Sequence, residues 1–187
     1  MNLFERISLW WKFEGRYYHK DFTNGIKNLI RWFPVIWKDR DWDQNFIWNL
    51  MIQKMKFQSK YIGDRNFHVN AKRDAEIMLL CVRLMEKIKN DDYETEHLDY
   101  IRSSHEFVPV DKDESGEDLF EIKSTVLEDN LDEYFKKYPL VYKRVSQKCP
   151  DIEDKQIVGL YMGMENHNRA IRILFTLMER NIERWWD

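Results

Sequence analysis

The chain has 187 residues, of which 43% are hydrophobic and 34% charged, with six Gly and four Pro. That balance excludes a disordered or loop-dominated protein, and the length suits one domain of 1–187 with a single core. The net charge of −3 excludes bulk nucleic-acid binding through a basic surface.

Two short amphipathic segments, Leu3 to Phe13 and Asp21 to Phe33, make residues 1–35 N-terminal helices. Pro34 biases Phe33 away from helix and predicts a boundary there. The sequence Trp37-Lys-Asp-Arg-Asp-Trp-Asp43 follows. A helical hairpin over 41–90 comes next. Its first helix carries Phe46, Ile47, Leu50, Met51, Met55 and Ile62, with Asp41 as N-cap and Gln44 at the capping-box offset. Gly63 is expected to end that helix. The second helix runs from the N-cap Asn70 to about Lys89 on a stripe of Ala71, Ala75, Met78, Leu79, Val82, Met85 and Ile88. A short loop between two such helices predicts antiparallel packing.

The acidic stretch from Asp91 to Tyr100 reads as a weaker helix. Phe107 to Val110 and Leu119 to Ile122 then predict a β-hairpin insertion over 105–123, with Pro109 restricting its strand to an edge. Helix resumes from Ser124 to Tyr138, and Pro139 suits the first position of a short helix. A long C-terminal helix over 151–187 carries Ile157, Leu160, Tyr161, Met164, Ile171, Leu174, Phe175, Met178, Ile182 and Trp185. The expected fold is mainly α, an antiparallel helical bundle with a small β-hairpin insertion.

The longest apolar run, Ile77 to Val82, is far below the roughly 20 residues that span a bilayer, so no membrane partner is expected. Met1 to Trp11 lacks the organisation of a secretory signal. Cys81 and Cys149 read as reduced thiols without metal-ligand spacing, which points to a cytoplasm.

Aromatic residues make up 15% of the chain, and six of the eight Trp precede position 49. Trp37, Asp39, Arg40, Asp41, Trp42 and Asp43 form the densest motif: indoles offer stacking surfaces, and the carboxylates suit either a helix N-terminus or a divalent cation. A second constellation, Arg65, His68, Lys72 and Arg73, surrounds the helix starting at Asn70, where cationic side chains beside backbone N–H groups favour a phosphate. At the chain end, Trp185 and Trp186 dock onto the body or stack a flat ligand.

Charge is uneven. Asp91 to Glu133 holds 16 acids against three bases, and Gln44 to Arg73 holds six bases against Asp64. The acidic 91–133 region is a candidate surface for a protein partner. The helix from Asp41 to Ile62 separates its ends by roughly 33 Å, so the Asp39–Asp43 cluster and His68 do not share one centre. The second helix would return Glu94, Glu96, His97 and Asp99 toward that cluster. Neither a catalytic set nor a cofactor motif stands out.

The segments Arg31-Trp-Phe-Pro-Val-Ile-Trp-Lys-Asp-Arg-Asp-Trp-Asp43, His68-Val-Asn-Ala-Lys-Arg-Asp74, the Phe107 hairpin region and the Trp185-Trp186-Asp187 end resemble a family of small proteins encoded widely in tailed bacteriophages. The resemblance implies a phage origin and the cytoplasm of an infected bacterium, and it implies no reaction. The expected function is that of an accessory protein sequestering a small anionic, nucleotide-like ligand, for instance a host immune signal. A homo-oligomer would bring the two ends of the helical hairpin to one ligand. The alternatives are a virion-associated or protein-interaction role, and a metal-dependent all-α nucleotide hydrolase using Mg²⁺ on Asp39, Asp41, Asp43, Glu94 and Glu96.

Overall fold

A computed structural model describes the chain except Met1, Asp41, Asp43, Gln44, Phe67, residues 113–117, Trp186 and Asp187, and it leaves the side chain of Arg16 undescribed. The described elements are mainly helical, with one two-stranded antiparallel sheet. They divide into two compact units, Met1–Lys54 and Met55–Asp187, with the division inside one helix.

In the first unit, α1 (Leu3–Trp10) begins where the Asn2 amide donates to Glu5 Oε2 at 2.9 Å. A π-helical turn, Trp11–Gly15, leads straight into α2 (Arg16–Ile36). The two expected segments are therefore one helical stretch. Gly15 is what permits the join, since a Cβ there would come within 2.9 Å of the Trp11 indole. Pro34 likewise lies inside α2 rather than ending it. Its missing N–H forfeits only the bond to Ile30, and the ladder resumes as Trp37 N–H donates to the Phe33 carbonyl at 2.8 Å. The next helix, α3 (Asn45–Arg65), crosses the division between the units. The expected Asp41–Gln44 capping box lies outside the described residues.

In the second unit, the last turns of α3 run antiparallel to α4 (Ala71–Lys89), as the Lys56–Glu86 ion pair at 2.6 Å and the approach of Gly63 to Ala75 show. Gly63 does not end α3. It sits inside the helix facing Ala75, and Asn66, at φ 49, takes the left-handed position one residue beyond Arg65. The buried stripe of α4 is Ala71, Asp74, Ala75, Met78, Cys81, Val82, Met85 and Ile88. Leu79, expected in that stripe, is exposed.

After α5 (Asp92–Thr95) and a 3₁₀ turn, Glu96–Tyr100, the chain forms β1 (Ile101–Lys112) and β2 (Asp118–Asp129). The hairpin is longer than 105–123 and takes up residues 124–129 of the helix expected over Ser124 to Tyr138, whose remainder is helical from Leu131 to Lys137. Both of its faces are exposed, so strand pairing there requires no apolar alternation to flag it in the sequence. Phe107 pairs with Ile122 and Pro109 with Phe120, with register shifts at Arg102/Ser103 and Pro109/Asp111. Asn130 N–H donates to the Tyr100 carbonyl at 2.9 Å and closes the base.

Helices α6 (Leu131–Lys137) and α7 (Pro139–Lys148) then pack against α8 (Lys155–Asn181), which ends in a 3₁₀ turn, Ile182–Trp185. Residues 151–154 precede the last helix rather than belong to it, because Asp154 caps it, its side chain accepting from Gln156 N–H at 2.8 Å. Leu131, Tyr134, Phe135, Val141, Val145 and Met162 form one core cluster. The face of α8 that is buried is Gly159, Met162, Gly163, Asn166, Ala170 and Leu174. Most of the expected stripe, including Ile157, Leu160, Met164 and Phe175, is exposed instead. The physical reason is close approach: a Cβ on Gly163 would stand 2.5 Å from the Glu94 carbonyl oxygen, so the small residues mark the contact with α5.

Candidate ligand-binding site

The turn after α2 exposes two indoles. Trp37 is 73% accessible and Trp42 85%, where core tryptophans bury most of their surface. Trp37 is the C-cap residue of α2, and its ring rests against Phe33 with centroids 5.1 Å apart. Asp39 N–H donates to the Ile36 carbonyl at 3.1 Å, which folds the turn back over the helix end. Arg40 is exposed, its guanidinium donating to the Asp39 carbonyl at 3.2 Å. The turn thus exposes a cation and two indoles within six residues of sequence. Asp41 and Asp43, expected in the same motif, lie outside the described residues.

In the second unit, Lys72 and Arg73 are exposed in the first turn of α4, whose N-cap Asn70 makes no side-chain capping bond. Arg65 has its guanidinium 4.4 Å above the Tyr61 ring and donates to the Tyr61 hydroxyl at 3.1 Å, which anchors it to its own helix. His68 Nε2 stands 3.9 Å from Asp74 Oδ2. Asp74 is 1% exposed, and its Oδ1 makes no hydrogen bond within the described structure. Sequence reasoning missed this carboxylate. Its one signal is its place in the buried spacing Ala71–Asp74–Met78, which a charged residue ordinarily avoids. His68 thus faces Asp74, and Lys72 and Arg73 are exposed cations of the same helix start.

Trp185 was expected to dock or to stack a flat ligand, and the structure places it in the fold. It is 4% exposed, and its carbonyl accepts from Gln58 Nε2 at 2.9 Å. A ring enclosed in this way has no free face for a ligand. Trp186 lies outside the described residues.

Of the carboxylates proposed for a cation, Glu96 and Glu94 face neighbours within the fold. Glu96 accepts from Lys137 and from the Tyr138 hydroxyl at 2.9 Å. Burial, then the hydrogen bond to Glu96, push the Tyr138 hydroxyl up to about 12. The Glu94 carbonyl meets His97 Nδ1 at 2.7 Å, and its carboxylate lies 3.7 Å from His167 Nδ1. Among the described residues, no three His, Cys, Asp or Glu side chains are grouped to hold a metal ion. Beside this network a cleft of about 160 Å³ is lined by Leu84, Tyr93, Tyr138, Asn166, Arg169 and Ile173, far smaller than the roughly 300–1,000 Å³ of drug-sized ligand sites.

No protein-family model matches this chain, and neither a curated protein nor a solved structure matches it.

Proposed function

We propose that this chain binds a small anionic ligand carrying a flat, base-like moiety, and acts by withdrawing it from solution in a phage-infected bacterial cell. The observation that carries the reading is the turn after α2, in which Trp37 and Trp42 are largely exposed and Arg40 is exposed as well. Exposed indole costs free energy unless something covers it, and stacking a base on an aromatic ring contributes roughly 1–3 kcal/mol. Arg40 would meet the ligand's charge. In the second unit, Lys72 and Arg73 at the start of α4 are by themselves a candidate anion site. The phage setting rests on the sequence resemblance alone.

Calorimetric titration with a panel of linear and cyclic nucleotides tests this. Micromolar binding to at least one member is expected, with Trp42→Ala weakening it about tenfold or more. No heat across the panel would overturn the reading.

One observation favours a second reading, a protein-interaction role. The hairpin exposes Phe107, Phe120, Ile122 and Val126 within the acid-rich 91–133 region. Mass spectrometry of purified virus particles separates the two, since a structural partner would be retained in particles and a sequestering protein would not.

A further inference from the structure

The first unit leaves a continuous apolar surface uncovered. At 100° per residue, Tyr18, Phe22, Ile26, Leu29, Phe33 and Ile36 of α2 fall within about 40° either side of one line, and all six are exposed. Leu3, Ile7 and Trp10 form the corresponding line on α1, and they are exposed too. The Trp10 and Tyr18 rings, 5.6 Å apart, join the two lines across the π turn. Over some 34 residues the surface extends about 50 Å, well beyond the patches a soluble monomer leaves bare.

Charge distinguishes among occupants. Residues 3–37 hold six bases against three acids, while the whole chain is net negative, because acids are sparse on this helical stretch. Lys20, Lys27 and Arg31 lie on the side of α2 away from the apolar line. A helix is about 10–12 Å across, so they remain near one Debye length of a charged plane beneath it. The face is rich in Trp, Tyr and Phe, the residues that sit at the boundary between headgroups and acyl chains. The spacing of four and three along α2 is also that of a coiled-coil seam, so a second copy of the chain is the competing occupant, and charge and aromatic content favour the bilayer.

We propose that α1 and α2 lie flat on an anionic lipid bilayer, burying the Phe22–Leu29–Phe33 face at the headgroup–acyl boundary. No described helix is long and apolar enough to cross a membrane. Span length, from which no membrane partner was expected, does not bear on a helix lying in the plane. The ligand-binding turn is not required for this, so the two readings fail separately.

The test is co-sedimentation of the full chain with two sets of vesicles, phosphatidylcholine alone and phosphatidylcholine mixed with phosphatidylglycerol. Partitioning to the anionic vesicles should be roughly a hundredfold stronger, from three net charges near the surface, and should fall with added salt. The double variant Phe22→Glu, Leu29→Glu alters exposed positions only and should abolish binding. The control Phe107→Glu, Ile122→Glu, on the equally exposed hairpin, should leave it intact. Equal binding to both vesicles, retention in the α2 variant, or loss in the hairpin control would overturn the proposal. So would a dimer by analytical ultracentrifugation that the α2 variant dissolves while wild type ignores vesicles.

Discussion

At the scale of single residues, glycine and cysteine carry the clearest consequences. Gly163 lets the α5 backbone rest on α8, and a methyl group there would meet the Glu94 carbonyl at 2.5 Å. Backbone cannot swing aside as a side-chain tip does. Gly163→Ala should therefore cost about 1–3 kcal/mol in urea denaturation. Gly25, mid-helix in α2 with open space around it, should behave oppositely, Gly25→Ala strengthening its helix by roughly 0.5–1 kcal/mol. Cys81 is fully buried, and desolvation pushes its thiol up to about 11. A disulfide-exchange reagent at neutral pH should label Cys149 first and reach Cys81 only after denaturant is added. Of these residues, Cys81 was readable as part of an apolar pattern. Asp74 was not, because a first-turn acid looks the same whether it faces water or the core.

At the scale of elements, the hairpin and the α7–α8 contact make opposite predictions. Both strands of the hairpin expose nearly all their side chains, and its base, at Tyr100 and Ile101, packs against the core. Replacing residues 103–127 with a short Gly-Ser loop should leave the helical far-UV dichroism and the thermal midpoint close to wild type. By contrast, Glu165 on α8 accepts from Arg144 at 2.6 Å and Lys148 at 3.3 Å on α7. The Arg144 bond, followed by Lys148, holds the Glu165 carboxyl below its usual range. A carboxylate depressed in the folded state adds stability above its unfolded pKa, near about 4.3, and loses it as pH falls through the depressed folded value. Glu165→Gln should lower the thermal midpoint at neutral pH and shrink the loss of stability on acidification. Wild-type and variant midpoints should therefore converge at low pH. Of the elements, α4 was legible in its span and in most of its stripe, Leu79 and Asp74 apart, because its apolar spacing persists over nineteen residues. The full length of the hairpin was not, since a strand exposed on both faces leaves no periodic trace.

At the scale of the molecule, the aromatic residues sort by exposure. Trp10, Trp11, Trp37 and Trp42 are exposed, while Trp185 is enclosed. Acrylamide should quench most of the tryptophan emission, and Trp185→Phe should remove part of the protected fraction. If quenching in Trp185→Phe matches wild type, the enclosure of Trp185 is wrong.

The amino-acid sequence alone determined the mainly helical class, the presence of a hairpin, the α4 core stripe and the proline that opens α7. Each depends on local periodicity or on a backbone preference carried by a few neighbouring residues. Only the tertiary structure decided which face of α8 is buried, since two glycines outweigh a longer apolar stripe when backbones must touch. It also decided that Trp42 is open and Trp185 closed, and that Asp74 lies beneath the basic turn. An indole or a carboxylate has the same local preferences in either setting, and its role depends on what distant chain segments place beside it.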